Sequence, residues 1–174
     1  MDGAASRTRG IRVEGGGLAQ APAAIPPIPP IPPIKDARLM PLLVDAGILY
    51  AMADRSDAWH DRTVDYLKQF RPALLAPVTV LPEAACLVRT RLGEREERKL
   101  IEGFVNGGVA LESLRDADLA RIDVLMAKYT DLGFTDCSLV AMAERLALDT
   151  IATTDRRHFA QVRPRHLKRF SLVP

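Results

Sequence analysis

Four carboxylates lie where an apolar, strand-like run gives way to a helix-like run: Asp45, Glu83, Asp136 and Asp155. The carboxyl ends of parallel strands gather along one edge of a sheet, which is the usual place of a functional site in an open α/β fold. Four acids brought together there need cations to remain charged. All-oxygen ligands of this kind favour Mg²⁺ or Mn²⁺. We therefore predict a metal site held by these four side chains.

Each of the four acids also has a structural interpretation. Asp45 and Asp155 stand where an N-cap would close the start of a helix. Glu83 and Asp136 fall in a first helical turn, where the helix dipole favours negative charge. Glu83 also has apolar neighbours at helical spacing, and we expect it to be partly buried, which is costly without a charged partner. The joint placement of the acids, with no glycine-rich phosphate loop to compete, favours the metal site.

Short apolar runs alternate with helical periodicity from Met40 onward. Strands are predicted at 42–44, 73–76, 109–111 and 150–153, with a fifth at 170–173. Helices are predicted at 47–53, 58–70, 79–91, 94–106, 116–129 and 135–148. Strands that alternate with helices predict a mostly parallel central sheet with helices on both faces, which is a three-layer α/β/α sandwich.

Residues 1–39 differ from the rest of the chain. They contain a run of three glycines and a repeat from Ile25 to Ile34 in which Pro-Pro pairs separate the isoleucines. This composition cannot build a packed core and favours polyproline II. We predict a disordered Pro/Gly-rich extension at 1–39, or an upstream extension of a gene that starts at Met40, with the folded domain at 40–174. A ligand for a proline-recognising module is the alternative.

The composition is typical of one domain with an aliphatic core, since the 174 residues are 48% hydrophobic and only 5% aromatic. Cys86 and Cys137 lie in apolar, helix-like stretches, which predicts reduced core thiols rather than a disulfide. No apolar run is long enough to cross a membrane, and the N-terminus lacks the apolar core of a signal peptide. We expect a cytoplasmic protein that does not enter a membrane.

The formal net charge of +2 arises in residues 1–39, because acidic and basic residues are equal in number over 40–174. Basic residues nevertheless dominate the last part of the chain, from Ile151 onward. A basic stripe beside an acidic site suits an anionic polymer, and a solvated C-terminal face is the alternative. The candidate contacts to the polymer backbone are Arg156, Arg157, Arg163 and Arg165. A second basic patch, which alternatively pairs with nearby glutamates, is Arg89, Arg91 and Arg95.

Four segments of the chain resemble the PIN domain family and, within it, the VapC-like toxins of bacterial toxin–antitoxin pairs. The last two segments are the most specific, since an Asp opens an aliphatic helix and a strand ends in Thr-x-Asp with Phe four residues later. The segments are 43–46, 77–83, 134–144 and 151–159, and together they cover essentially all of 42–173. The resemblance implies a PIN-like α/β/α fold in which Asp45, Glu83, Asp136 and Asp155 bind metal and Thr153 is the hydroxyl beside them.

The same resemblance implies an activity. It indicates a Mg²⁺- or Mn²⁺-dependent endoribonuclease that cleaves single-stranded RNA and acts as the toxin of a toxin–antitoxin pair. It also implies two partners, a cognate antitoxin and a second copy of the chain in a homodimer. In-line attack by an activated water leaves 5′-phosphate and 3′-hydroxyl ends. The basic residues after Asp155 would then follow the RNA backbone.

Two positions depart from the family pattern. Family members carry a hydroxyl or Asn side chain soon after the first Asp, whereas this chain has Ala46-Gly47. Cys137 stands in place of the usual Ala. Neither change removes a carboxylate, but the first removes a side-chain hydrogen bond expected near Asp45. Asp131 is a further acid near Asp136 and an outer candidate for the site.

Three alternatives compete with a toxin. An RNA-processing or repair nuclease would use the same chemistry, and an antitoxin gene upstream would distinguish the toxin from it. A catalytically silent RNA-binding module conflicts with the retention of all four acids. A receiver-like domain that is phosphorylated on Asp45 would need paired acids before that residue and a late strand-end Lys, and neither is evident. Helix 58–70 offers an apolar surface that suits either a partner groove or the core: Trp59, Val64, Leu67 and Phe70.

Overall fold

The computed structural model describes residues 40–174, so the extension predicted at 1–39 lies outside the described residues. The described part contains five short strands: β1 (Leu42–Val44), β2 (Leu74–Pro77), β3 (Ala110–Glu112), β4 (Thr150–Ala152) and β5 (Ser171–Val173). It also contains seven helices: α1 (Ala46–Ala53), α2 (His60–Phe70), α3 (Val80–Leu92), α4 (Glu94–Val105), α5 (Asp116–Lys128), α6 (Phe134–Leu146) and α7 (Arg156–Gln161). Among these helices none has the length and apolar character needed to cross a membrane.

The strands form one parallel sheet in the order β3-β2-β1-β4-β5. In the central strand, Leu43 pairs with Leu75 on one side and with Ile151 on the other, and all three are fully buried. A parallel sheet covered on both faces needs apolar residues at consecutive positions. This explains why the strands appear in the sequence as unbroken apolar runs rather than as alternating patterns.

The helices pack in two groups, with α1 to α4 in mutual contact and α5 against α6. From β1 the chain winds toward β2 and β3, then crosses to β4 and β5 on the other side of β1. Right-handed crossovers place the two groups of helices on opposite faces of the sheet. The predicted three-layer α/β/α sandwich is therefore confirmed. The winding direction reverses between β1 and β4, so a crevice opens at their carboxyl ends.

One of the two cysteines, Cys86 on α3, does not lie on the buried face of its helix. The buried residues of this helix are Val80, Ala84 and Val88, which recur every four residues along one face. Cys86 lies midway between the last two and is exposed, whereas Cys137 on α6 is buried as predicted. At about 100° per residue, a position two residues from the buried stripe lies on the opposite side of the helix. The prediction that Cys86 is a core thiol is wrong for this reason.

A buried ionic contact joins α5 to α6. The guanidinium Nε of Arg145 donates to both carboxylate oxygens of Asp118 at 2.9 and 3.0 Å, and Nη1 donates to Glu112 at 3.0 Å. The Asp118 side chain is only 3% exposed, and it also accepts a hydrogen bond from the Arg115 backbone at the start of α5. Arg145 therefore compensates a charge that the fold has removed from water.

Replacement of Arg145 by Met should destabilise the protein by about 3 kcal/mol, because it leaves Asp118 buried without its cation. Urea unfolding at pH 7 measures this loss. The matched control is Arg89→Met, since the Arg89–Glu97 pair is 2.7 Å long but its arginine side chain is 60% exposed. A surface pair of this kind contributes little. Equal effects of the two substitutions would contradict the account.

Candidate active site

Asp45 follows β1 directly and is buried, with 7% of its surface exposed. Its Oδ1 accepts a hydrogen bond from the Ile48 N–H at 2.7 Å, which makes it the N-cap of α1. Its Oδ2 accepts a hydrogen bond from the Thr153 hydroxyl, which comes just after β4. Asp45 is thus both the N-cap of α1 and a residue of the predicted site. The second hydrogen bond connects the carboxyl ends of β1 and β4 at the point where the winding reverses.

Burial raises the pKa of Asp45 from 3.8 to about 6. The hydrogen bonds from Thr153 and from the Ile48 N–H oppose this rise in pKa, and the negative charges of Asp136 and Asp155 add to it. Without a cation, Asp45 therefore releases its proton at a higher pH than an ordinary aspartate does. A cation placed between these acids would restore the charged form.

Asp155 is held by its own helix and by a histidine. Its Oδ1 accepts the His158 N–H at 3.1 Å, which caps α7, and its Oδ2 lies 2.7 Å from His158 Nδ1. The Asp155 N–H donates to the Thr153 hydroxyl oxygen at 2.9 Å. Thr153 thus holds two acids of the predicted site, since its hydroxyl donates to Asp45 and accepts from Asp155. The sequence analysis did not predict the pairing of His158 with Asp155, although their spacing of three residues at the start of a helix is a signal for it.

Asp136 and Glu83 are less restrained. Asp136 is half-buried in the first turn of α6, where the Gly133 N–H donates to it at 3.4 Å. Burial raises the pKa of Asp136, and the charges of Glu83 and Asp155 raise it further. Glu83 itself is exposed, so the expectation of a partly buried carboxylate is wrong. Its position next to Ala84 turns it away from the buried stripe of α3.

A second hydroxyl contact holds α3 and α6 together. Ser138 is fully buried and its hydroxyl donates to the Thr135 carbonyl at 2.7 Å. Because that hydrogen is used, the Thr79 hydroxyl must be the donor in the 2.5 Å contact between Thr79 and Ser138. This contact joins the starts of the two helices that carry Glu83 and Asp136. Sequence reasoning did not identify it, since the only signal was one Ser within an apolar helix.

The four acids form one set of interacting negative charges, through the effects of Asp136 and Asp155 on Asp45 and of Glu83 on Asp136. As they are placed, no three His, Cys, Asp or Glu side chains among residues 40–174 converge closely enough to hold an ion. The donor set is nevertheless all carboxylate, which fits Mg²⁺ or Mn²⁺ rather than Zn²⁺. The long hydrogen bond to Asp136 and the exposure of Glu83 show that few contacts restrain these two side chains. Asp131 is exposed and remains an outer candidate.

Arginines surround an aromatic ring near this edge. The guanidinium groups of Arg156 and Arg62 lie 5.7 and 5.6 Å from the centre of the Trp59 ring. Arg156 also donates to the Leu172 carbonyl at 3.2 Å and to the Pro174 carbonyl. Arg156 thus connects the start of α7 to the start of α2 and to the end of β5.

The other predicted basic contacts differ in their availability. Arg157 and Arg165 are exposed. The guanidinium of Arg163 donates to the Ala160 and Val162 carbonyls at 3.0 and 3.1 Å, so it is partly engaged by its own segment. In the second basic patch, Arg89 pairs with Glu97, Arg91 lies 5.2 Å from the Tyr50 ring and Arg95 lies near the start of α4. The strongest remaining candidate beside the acids is Arg157.

A parallel α/β sheet with acidic residues at its switch point is typical of an α/β protein that binds a ligand at the ends of its strands. The family model described as "PIN domain" matches residues 42–163, and the chain belongs to this family. It is 29% identical over 135 residues to "Ribonuclease VapC26" of Mycobacterium tuberculosis, covering 76% of this chain and 100% of that protein. The predicted resemblance to VapC-like PIN proteins is therefore confirmed.

Two solved structures share the fold. The chain superposes on VapC20 of Mycobacterium tuberculosis, described as a sarcin-ricin loop cleaving toxin, with a TM-score of 0.61 and 17% identity. The match covers 67% of this chain and 92% of that one. VapBC2 of Rickettsia felis, solved with a promoter DNA fragment, gives a TM-score of 0.56 at 12% identity, with 78% and 100% coverage. At these identities the likeness establishes the fold alone.

The pKa of Asp45 predicts an unusual pH dependence of stability without metal. Because the folded-state pKa of about 6 exceeds the ordinary 3.8, the fold binds this proton more tightly than the unfolded chain does. The resulting contribution, about 3 kcal/mol, is complete below pH 4 and is lost as the pH rises through 6. Asp45→Asn keeps an N-cap and removes the charge. In EDTA at pH 7.5, we expect this variant to unfold at higher urea than the wild type.

The control for this measurement is Asp131→Asn, which neutralises an exposed acid. It should leave the urea midpoint close to that of the wild type. A lower midpoint for Asp45→Asn at pH 7.5 would show that the Asp45 charge stabilises the fold even without a cation, against the account.

Proposed function

We propose that this chain is a VapC-type endoribonuclease that cleaves single-stranded RNA with Mg²⁺ or Mn²⁺ and acts as the toxin of a toxin–antitoxin pair. The observation that carries the proposal is the joining of Asp45 and Asp155 through Thr153 at the switch point, with Asp136 in the same set of charges. Membership of the PIN family and similarity to a protein named as a ribonuclease support the activity. We assign Asp45, Glu83, Asp136 and Asp155 as metal ligands.

The residues of the chain prepare the site in distinct ways. A bound divalent cation supplies charge neutralisation and an acidic water at the phosphodiester. Through one hydroxyl, Thr153 orients the Asp45 carboxylate and holds the Asp155 backbone. His158 contacts the Oδ2 of Asp155 and so fixes that carboxylate from the other side. Asp136, with its long hydrogen bond, has the freedom to adjust as substrate enters.

Cleavage of labelled single-stranded RNA tests the proposal. The wild type should cleave with Mg²⁺ or Mn²⁺ and stop in EDTA, while Asp136→Asn should reduce the rate by at least about 100-fold. Glu83→Gln should have a smaller effect because its carboxylate is exposed. Asp123→Asn, which neutralises an exposed acid on α5 outside the predicted site, is the matched control and should cleave at nearly the wild-type rate.

The product ends supply an independent readout for this reaction. Hydrolysis leaves 5′-phosphate and 3′-hydroxyl ends, which enzymatic end-labelling detects. Cleavage that persists in EDTA, or that leaves 2′,3′-cyclic phosphates, would contradict the proposal. Such products would indicate attack by the RNA 2′-hydroxyl, for which the four acids would not be needed.

We propose that exposed arginines beside the crevice hold the RNA backbone, with Arg157 contributing more than Arg163. In an Asp136→Asn background, which slows cleavage enough to measure binding, RNA affinity should fall with salt. Arg157→Gln should lower the slope of log affinity against log salt by about 0.7, the value for one phosphate contact on a single strand. Arg163→Gln should change it less, since backbone carbonyls already bind its guanidinium. Equal changes would contradict the ranking.

We also propose a cognate antitoxin partner, a homodimer and a cytoplasmic site of action. Support for an antitoxin comes from the fold shared with VapBC2 and from a groove of about 380 Å³ between α1 and α4. Its apolar lining includes Leu49, Leu100 and Phe104, and Met52 and Val105 beside it are exposed.

On α2, the other candidate surface, Leu67 packs against the core and Phe70 is exposed. An antitoxin gene immediately upstream would favour the toxin over an RNA-processing nuclease.

A further inference from the structure

Gly47 allows an unusually close approach between two elements of the site. A Cβ added to this residue would lie 2.2 Å from the Thr154 Oγ1 and 3.4 Å from the Thr154 Cβ. The first of these distances is far below van der Waals contact. Gly47 lies inside α1, where glycine is about 1 kcal/mol less favourable than alanine. Its presence there is explained by the space that the Thr154 hydroxyl occupies rather than by helix stability.

The space at Gly47 also borders the site. The same added Cβ would lie 3.4 Å from Asp45 Oδ1, so the carboxylate and the Thr154 hydroxyl flank one small volume. Thr154 lies between Thr153 and Asp155, whose contacts hold the backbone in place. The Thr153 N–H adds a 2.9 Å hydrogen bond to the Val173 carbonyl. The backbone that carries Thr154 is therefore held in place, and its hydroxyl lies beside Gly47, next to Asp45.

The Thr154 hydroxyl has no structural task that accounts for this placement. Within residues 40–174 it makes no hydrogen bond, whereas the Thr153 hydroxyl makes two. Thr154 is half-buried, so one side of its hydroxyl faces solvent or a ligand. Among four acids, a neutral donor is the kind of group that can approach an anionic substrate without adding repulsion.

We propose that Thr154 is a substrate-binding residue whose hydroxyl donates a hydrogen bond to a non-bridging oxygen of the RNA phosphodiester next to Asp45, and that Gly47 keeps this place open. The proposal rests on the nuclease function proposed above. It assigns a specific role to two residues that supply no carboxylate and no metal ligand. Both contribute to binding of the reacting phosphate.

Thr154→Val tests the hydroxyl, because it keeps the shape of the side chain. We expect kcat/KM for single-stranded RNA to fall about tenfold or more, the usual effect of losing a hydrogen bond to a charged group. Thr154→Ser should recover most of that loss. The matched control is Thr90→Val, which removes an exposed hydroxyl on α3. Mn²⁺ affinity should be the same in all of these variants.

Gly47→Ala tests the open space. The added methyl group displaces the Thr154 hydroxyl, so Gly47→Ala should lose activity as Thr154→Val does, while its thermal unfolding stays cooperative. Combining the two should cause no further loss, because both remove the same contact. In the reverse design, Gly47→Ser with Thr154→Ala returns a hydroxyl from α1 and should recover activity relative to Thr154→Ala alone.

The outcomes separate the two proposals. If the wild type cleaves RNA and Thr154→Val matches it, the role of Thr154 is overturned and the nuclease stands. Additive losses in the double variant would likewise overturn it, since Gly47 would then act independently of Thr154. If the wild type with Mn²⁺ neither cleaves nor binds single-stranded RNA, the nuclease function is overturned and this inference with it. RNA binding in the Asp136→Asn background measures the contact without turnover and should be several-fold weaker with Thr154→Val.

Discussion

The hydrogen bond from the Thr153 hydroxyl to the buried Asp45 carboxylate is the contact on which the site depends. It connects the ends of β1 and β4, the two strands between which the winding direction of the sheet reverses. The same hydroxyl accepts the Asp155 backbone N–H, so a single side chain orients the Asp45 carboxylate and positions the backbone that carries Asp155. The fold therefore brings the two strand ends together, and Thr153 orients the Asp45 carboxylate between them.

The repulsion among the acids supports the cation site that we propose. Burial and neighbouring charge both raise the pKa of Asp45 and of Asp136. Sites of this kind reduce the stability of the free protein in order to bind their ligand, as functional residues often do. Glu83 limits that cost because it stays exposed. The contact between the Thr79 and Ser138 hydroxyls keeps α3, the helix that carries Glu83, beside α6, while the Glu83 carboxylate remains accessible.

The sequence was sufficient to predict the parallel sheet and the longer helices, and to place Asp45 and Asp155 after the ends of β1 and β4. Apolar runs and strand-to-helix junctions are local signals in the sequence. Asp45 and Asp155 lie at such junctions, and both are helix N-caps. The exposure of Glu83 and Cys86 was not predicted, since it depends on which face of α3 packs inward. Contacts such as Thr79 with Ser138, or Gly47 with Thr154, join residues far apart in the chain. No local pattern specifies them.

The central claim is that acids from separate strand ends act together on one divalent cation. A titration of Mn²⁺ followed by the electron paramagnetic resonance signal of the free ion tests it without any substrate. We predict that the wild type removes Mn²⁺ from solution, and that Asp45→Asn and Asp136→Asn each weaken this binding by at least about tenfold. Binding that is unchanged in both variants, or absent from the folded wild type, would contradict the account.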